Sequence, residues 1–172
     1  MSIISKNIRS RYQLSYGNHC VIDDYCYFSS RIVLGDFFHI GPNCSITGGK
    51  DTHFTAGSFG GIAAGVNIFC GTDNFVDDIC TVLPEICEGI RQQIKGDTFF
   101  GDYVTIGSGT VIMPNNNIPE GVTIGAMSFV PYAFQFKPWS VYFGNPLKFY
   151  TKRNKERVLK QAIEIQKRVF DV

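Results

Sequence analysis

The chain has 172 residues, of which 44% are hydrophobic and 18% are charged, and its formal net charge is +1. This length suits one domain, residues 1–172, and the composition is that of a globular protein and not of a disordered one. A charge this close to neutral provides no footprint for a nucleic acid, and no apolar run approaches the length of a membrane span. Arg9 and Arg11 interrupt the segment where a signal peptide would need an unbroken apolar stretch, so we expect a cytoplasmic protein.

A six-residue repeat begins at Tyr16 and is the main structural signal in the chain. The first position of each hexad is apolar, the fifth is often apolar, and glycine frequently follows the first. The period returns after residue 55 and again before residue 100. The first-position residues are Tyr16, Ile22, Phe28, Leu34, Ile40, Ile46, Ala56, Ile62, Ile68, Phe100, Ile106, Ile112, Ile118 and Ile124. Neither an α-helix nor a sheet of hairpins has this period.

The period predicts an all-β solenoid. Side chains alternate sides along a strand, so the fifth position of one hexad and the first position of the next both point inward. Three hexads close one triangular coil, and stacked coils bury an apolar column that no single coil could bury. About fourteen hexads therefore predict about five coils of parallel β-helix over residues 16–130.

Two insertions interrupt the repeat, at residues 47–55 and at residues 74–93. Insertions in a solenoid form loops on one face, which is often the binding face. The prolines and aromatic residues of residues 131–152 predict an extended tail packed on the solenoid. Residues 153–170 predict an amphipathic α-helix at the C-terminus, because their apolar residues recur at helical spacing.

The six cysteines form no CxxC pair, and the expected compartment is reducing. Three of them occupy the inward fifth position of a hexad. We therefore interpret the cysteines as buried free thiols and not as disulfides or metal ligands. They are Cys20, Cys26, Cys44, Cys70, Cys80 and Cys87.

Four segments together resemble the hexapeptide-repeat acyltransferases. They are the hexads, the insertion after GTD at residues 71–73, the run IGSGTVIMPNNNIPEGVTIGAMSFV at residues 106–130, and WSVYFGNPLKFYTKR at residues 139–153. The similarity is to galactoside, maltose and nodulation-factor acetyltransferases and to sugar acetyltransferases of bacterial surface-polysaccharide pathways. The resemblance implies a left-handed β-helix and a homotrimer whose active sites lie in clefts between adjacent subunits, with acetyl-CoA as co-substrate.

The resemblance also implies which residues bind the CoA thioester. Small residues would line the groove for the pantetheine arm, and the tail would supply polar contacts and a cation for a phosphate. The residues at the matching positions are Ala63, Ser108, Ala126, Asn145, Lys148 and Lys152. Carbonic anhydrases share the hexads, but they need three His ligands for zinc, and His19, His39 and His53 fall in different coils or loops. No metal is expected.

The chain departs from the galactoside-type pattern at one informative position. Where those enzymes have a general-base His, at the start of the long insertion, this chain has Asp73 followed by Asn74. A sugar hydroxyl needs a base, whereas an amine has a pKa nearer neutrality and needs only a group that orients it or takes its proton. The departure favours N-acetylation of an amino sugar, in particular a nucleotide-linked amino-deoxy sugar of a bacterial surface-glycan pathway.

Two other hypotheses fit the same residues. His53, which should project outward, is a competing base and would support an O-acetyltransferase that acts on a sugar or small alcohol. Asp51 lies where related enzymes carry an acceptor-binding carboxylate, and Glu85 and Arg91 would contact the acceptor if the long insertion covers it. A non-catalytic solenoid that acts as a scaffold is the third hypothesis.

Overall fold

The computed structural model describes residues 1–74 and 92–170. Short strands make up most of the chain, and one helix follows them. In chain order the elements are β1 (Ile3–Ile4), β2 (Arg9–Ser10), β3 (Leu14–Tyr16), β4 (Val21–Ile22), β5 (Tyr27–Phe28), β6 (Arg31–Leu34), β7 (His39–Ile40), β8 (Ser45–Thr47), β9 (His53–Ala56), β10 (Gly61–Ile62), β11 (Asn67–Phe69), β12 (Gly71–Asp73), β13 (Gln93–Lys95), β14 (Thr98–Phe100), β15 (Thr105–Ile106), β16 (Val111–Ile112), β17 (Asn117–Ile118), β18 (Thr123–Ile124), β19 (Phe129–Val130), β20 (Ser140–Phe143), β21 (Lys148–Lys152) and α1 (Lys155–Phe170).

Parallel strands stack into three sheets, which we call faces A, B and C. Face A has the order β1-β4-β7-β10-β15-β18-β20, with β21 antiparallel at its end. Face B has the order β2-β5-β8-β11-β16-β19, and face C has the order β3-β6-β9-β14-β17. The chain visits the faces in the sequence A, B, C and repeats it, so the parallel β-helix predicted from the hexads is confirmed; its left hand is what the resemblance implied. We name the corners between faces AB, BC and CA.

The solenoid is longer than the predicted five coils, because face A alone stacks seven parallel strands. Strands β1 and β2 precede the first recognisable hexad, which begins at the last residue of β3. At the other end β20 pairs with β18, so that Val141 lies opposite Thr123 and Tyr142 opposite Ile124. Backbone hydrogen bonds extend the ladder where the apolar period is absent from the sequence, which is why counting hexads gave too few coils.

Inward side chains form continuous apolar columns. On face A, parallel register stacks Ile22, Ile40, Ile62, Ile106 and Ile124, and each of these is at most 1% exposed. The described cysteines are free and buried, as predicted; they are Cys20, Cys26, Cys44 and Cys70. Cys80 and Cys87 lie outside the described residues.

Corner CA carries a column of stacked rings. The rings belong to His19, Phe37, Phe59, Tyr103 and Trp139, all of which have positive φ. Neighbouring ring centroids are 5.0, 4.6, 5.7 and 5.8 Å apart in that order. The left-handed backbone costs energy at each non-glycine residue, and ring stacking offsets part of that cost.

Helix α1 lies along corner CA and contacts both ends of the ring column. Near its start the Lys155 ammonium lies 5.1 Å from the Trp139 ring centroid, and at its end the Phe170 ring is 5.9 Å from His19. The side chain of Asn154 caps the helix by accepting a hydrogen bond from Arg157 N at 2.9 Å. Within the described part of the chain, no helix has the length and apolar character needed to cross a membrane.

Candidate functional site

The two insertions of the repeat meet at corner BC. Strand β8 ends at Thr47 and β9 begins at His53, so the first insertion occupies residues 48–52. One coil further on, Gly71 lies directly on Gly48, and a Cβ added to Gly71 would be 3.0 Å from the Gly48 carbonyl oxygen. Only glycines permit this approach of the two chain segments. The bases of both insertions are therefore in contact.

The base of the long insertion is an antiparallel hairpin of β12 and β13. Asp73 pairs with Gln93, and Asn74 N donates a hydrogen bond to Gln92 O at 3.0 Å. Asp73 and Asn74 are both partly buried. They therefore sit at the mouth of the insertion, held by a backbone ladder. Glu85 and Arg91 lie outside the described residues.

His53 is paired with Asp97 across one coil. The imidazole Nδ1 is 3.3 Å from Asp97 Oδ2, and His53 N donates to Asp97 Oδ1 at 2.8 Å. Since a carboxylate only accepts, Nδ1 is the donor in this pair, and in a neutral imidazole Nε2 then carries the lone pair that can accept a proton. The side chains of His53 and Asp97 are 45% and 37% exposed, so both are accessible from outside the solenoid.

The hairpin positions Asp97. Strand β13 ends at Lys95, Gly96 N donates to Cys70 O at 3.0 Å, and Asp97 is the next residue. Asp51 lies in the first insertion and is exposed, two residues before His53. Corner BC therefore gathers four of the predicted site residues, namely Asp51, His53, Asp73 and Asn74, together with Asp97.

Cys70 lies beneath this corner but is a poor nucleophile. Burial raises the pKa of its thiol to about 11, although the nearby Thr98 and Ser30 side chains oppose the change. Its Sγ donates to His53 O at 3.4 Å. A nucleophilic cysteine needs a lowered pKa and access to solvent, and Cys70 has neither.

A second set of predicted residues lies along corner AB. Ala63, Ser108 and Ala126 occupy this corner in successive coils, and Met127 N donates to Ser108 O at 2.8 Å. At the same corner Gly65 has only Gly109 N, at 4.0 Å, near the position of an added Cβ. The small residues leave a strip parallel to the solenoid axis, which we call the furrow; it is open at Gly65, and the Met127 side chain lies over it at Gly109.

The tail extends the furrow towards the C-terminal end. Gly144 N donates to Ser128 Oγ at 3.0 Å, which holds Asn145 beside the last coil. Lys148 pairs with Phe143 at this end of β21, whereas Lys152 pairs with Ser140 at the other end. Five strand residues span roughly 13 Å from the first to the last Cα, so the two lysines lie far apart at opposite ends of the strand.

Comparison with known proteins identifies the class of molecule. No protein-family model matches the chain. The chain is 31% identical, over 149 residues, to a dTDP-4-amino-4,6-dideoxy-D-glucose acyltransferase of Escherichia coli, an alignment that covers 83% of this chain and 73% of that protein. This chain belongs to the hexapeptide-repeat acyltransferases.

Solved structures of another acyltransferase superpose on this chain. The N-acyltransferase AntD of Bacillus cereus, in complex with dTDP and 3-hydroxybutyryl-CoA, superposes with a TM-score of 0.85 at 27% identity, over 96% of this chain and 87% of that one. A variant of AntD in complex with dTDP-4-amino-4,6-dideoxyglucose and coenzyme A superposes with a TM-score of 0.82 at 25% identity, over 96% of this chain and 87% of that one.

Within this one chain the two sets of residues do not meet. Corner BC carries the acid–base groups, corner AB carries the furrow, and face B separates them. Sequence reasoning missed Asp97, although a signal for it existed. Gly96-Asp97 repeats the dipeptides Gly35-Asp36 and Gly101-Asp102, where aspartate accepts a backbone hydrogen bond from the preceding coil. Among the described residues, no group of three His, Cys, Asp or Glu could hold a metal ion.

Proposed function

We propose that this acyltransferase transfers an acetyl group from acetyl-CoA to the amine of a nucleotide-linked amino-deoxy sugar in a bacterial surface-glycan pathway. The observation that carries the proposal is the fit to AntD, whose TM-score of 0.85 extends over 96% of this chain at 27% identity. The relative in Escherichia coli supports the same acceptor class, because its name specifies a dTDP-linked amino-dideoxy sugar.

The acid–base corner suits an amine acceptor. The neutral amine attacks the thioester carbonyl directly, so no acyl-enzyme forms and Cys70 stays out of the reaction. Asp73, with Asn74 beside it, orients the amine. His53 takes the proton that nitrogen loses as the carbon–nitrogen bond forms, because its Nε2 is the unprotonated nitrogen.

The furrow suits a CoA thioester. Its floor of Ala63, Ser108 and Ala126 has no bulky side chain, so an extended arm can approach the backbone and hydrogen-bond to it. Backbone N–H groups along the furrow can stabilise the oxyanion that develops on the thioester carbonyl. Asn145 and Lys148 lie where they can contact the rest of CoA, and the exposed ammonium of Lys152 is available to a phosphate.

A homotrimer completes the site in this proposal. Face B separates corner BC from corner AB in one chain, but two neighbouring chains can bring corner BC of one against corner AB of the next. Asp51 would then contact the acceptor in the cleft, as would Glu85 and Arg91 of the long insertion. We place the trimer in the cytoplasm, where buried free cysteines stay reduced.

O-acetylation of a sugar or small alcohol is the second candidate, and the His53–Asp97 pair favours it. An imidazole whose tautomer is set by a carboxylate is the arrangement that deprotonates a hydroxyl. His53→Ala distinguishes the candidates. With an amine acceptor turnover should fall no more than about tenfold, whereas removing the base for a hydroxyl should cost about 10²- to 10⁴-fold.

An acyl-transfer assay tests the proposal. Thiol release from acetyl-CoA and from 3-hydroxybutyryl-CoA is measured with dTDP- and UDP-linked amino sugars, with the matching hydroxy sugars, and with free sugars. We expect turnover with acetyl-CoA and a nucleotide-linked amine, and an amide product by mass spectrometry. Turnover confined to hydroxyl acceptors would overturn the proposal in favour of O-acetylation, and no affinity for CoA would support a scaffold.

A further inference from the structure

The C-terminal end of face C carries a cavity of about 460 Å³ that neither the acid–base corner nor the furrow uses. Its floor comes from Asn115 at corner BC and Asn117 in β17. Its wall comes from the tail segment that follows β19, which contributes Phe134, Gln135 and Phe136. Amides and aromatic rings thus converge on one recess.

The wall is held in place before any ligand arrives. Phe134 N donates to Asn116 Oδ1 at 3.0 Å, and Lys137 N donates to Tyr142 OH at 2.8 Å. The rings of Phe134 and Phe136 pack edge to face with centroids 4.8 Å apart, and the Phe136 ring lies 5.1 Å from that of Tyr142. A wall fixed in this way lowers the ordering cost of binding.

The amides keep free hydrogen-bonding capacity towards the cavity. Asn115 Nδ2 donates to Tyr132 OH at 3.2 Å, and Gln135 Nε2 donates to Ala133 O at 3.2 Å. Among the hydrogen bonds of the described residues, the amide oxygens of these two side chains accept none, and the Asn117 amide takes part in none. The amide oxygens of Asn115 and Gln135 and the whole Asn117 amide can therefore hydrogen-bond to alternating N–H and C=O groups on the edge of a planar ring.

The cavity is in register with the acid–base corner. Asn117 lies opposite Phe99 on face C, and Asn115 N donates to Gly96 O at 3.2 Å. Asn115 is thus one coil beyond Asp97, which is itself one coil beyond His53, a separation of about 10 Å at two strand spacings. Between them the Phe99 ring is 44% exposed on the same face.

We infer that this cavity binds the nucleobase of the acceptor's nucleoside diphosphate. This inference rests on the proposed function. The base stacks on Phe134 or Phe136 and hydrogen-bonds to the amides. The ribose and diphosphate cross Phe99, and the amino sugar reaches corner BC. The separation of two strand spacings between Asn115 and His53 suits the length of a ribose and a diphosphate. The adenine of CoA is separated from its sulfur by a diphosphate and a whole pantetheine arm, which is too long for this separation.

Titration calorimetry on the full chain tests the inference with dTDP, UDP and adenosine 3′,5′-bisphosphate as probes. We expect the double variant Asn117→Ala/Gln135→Ala to raise the Kd of the pyrimidine nucleotide that the wild type binds better by about tenfold or more. Its Kd for adenosine 3′,5′-bisphosphate should stay within about twofold of the wild-type value. Both substituted side chains are exposed, so the fold should survive, and circular dichroism checks this.

Gln166→Ala on α1 is the matched control, because it removes an exposed amide far from the cavity. Weaker binding of adenosine 3′,5′-bisphosphate with unchanged dTDP and UDP affinity would assign the cavity to adenine and overturn the inference. So would unchanged affinity for all probes, or a wild-type protein that binds neither dTDP nor UDP. The acyl-transfer assay is read separately, so a wild type that binds pyrimidine nucleotides without acylating amino sugars contradicts the proposed function alone.

Discussion

At the scale of single residues, three Gly-Asp dipeptides place a carboxylate at a corner of the solenoid, Asp36 and Asp102 at corner CA and Asp97 at corner BC. Each aspartate Oδ1 accepts a backbone N–H from the coil before it. The pairs are Asn18 with Asp36 at 2.6 Å, His53 with Asp97 at 2.8 Å and Ser58 with Asp102 at 2.7 Å. Only at Asp97 does an imidazole also reach the carboxylate, so a structural motif of the repeat has become the partner of a histidine.

Asp97→Asn should separate these two roles. The asparagine oxygen can still accept the His53 backbone N–H, but it no longer holds the charge that fixes the imidazole. We expect kcat to fall about fivefold with the preferred acceptor, and to fall no further when His53 is already Ala, because both changes remove the same interaction. Asp102→Asn is the control and should leave kcat unaltered. Equal losses in the two variants, or additive losses with His53→Ala, would show that Asp97 acts only on the backbone.

The raised pKa of the Cys70 thiol predicts a pH-dependent contribution to stability. Burial holds its pKa at about 11, above the ordinary value of about 8.5, so the folded state binds the thiol proton more tightly than the unfolded state does. This stabilisation is complete below pH 8.5 and is lost as the pH rises towards 11. In urea titrations between pH 8 and pH 10.5, Cys70→Ala should therefore lose less unfolding free energy than the wild type. Its kcat should stay within about threefold of the wild-type value, and a collapse of kcat would indicate a covalent role.

At the scale of elements, the corners of the coils differ in what fills them. Corner CA is filled by rings and covered by α1, whereas corner AB carries mainly small residues and is open at Gly65. The Trp139 ring lies over Gly121, where an added Cβ would be 2.3 Å from a ring carbon. Arg153 Nη1 donates to Gly121 O at 3.2 Å, which ties the start of the helix to the same corner.

Two glycine substitutions should report this difference. Gly121 and Gly65 have nearly the same φ, +72° and +70°, but Gly65 faces open space. Gly65→Ala should cost about 1 kcal/mol of unfolding free energy, from the left-handed backbone alone. Gly121→Ala should cost about 3 kcal/mol or more, because Trp139 must also move. Chemical denaturation measures both, and similar costs would mean that the ring column adds little stability.

At the scale of the whole molecule, the proposed trimer would join the acid–base corner of one chain to the furrow of the next. Each active site in the proposed trimer takes Asp73 from one subunit and Ala126 from its neighbour. The assembly would have three times the 19.2 kDa of the chain, about 58 kDa. Light scattering measures this mass directly.

Mixing two inactive variants tests the shared site. Asp73→Asn should disable corner BC, and Ala126→Trp should fill the furrow; Ala126 is exposed, so the fold should tolerate the ring. Each variant alone should have under about a tenth of wild-type kcat/KM, whereas co-refolded mixtures should regain activity, since some clefts then combine two intact corners. A mixture as inactive as its components would place the whole site within one chain.

The pattern of amino acids was enough to predict the coil, the positions of both insertions and the inward cysteines. An apolar residue at every sixth position has one way to be buried, and it needs no knowledge of distant residues. It also pointed to His53 as an outward-facing base. The N-terminal strands and β20 were not predicted, because backbone pairing adds them to the solenoid without the apolar period.

The contacts between residues of different coils could be identified from the three-dimensional structure alone. His53 and Asp97 are 44 residues apart, and they meet because the hairpin of β12 and β13 returns the chain to the corner it left. The same stacking assigned the acid–base groups and the small residues to different corners, and placed the amides of face C in line with His53. Such contacts depend on the length of each coil and on register across it, and both are set by backbone hydrogen bonds that no local pattern of side chains encodes.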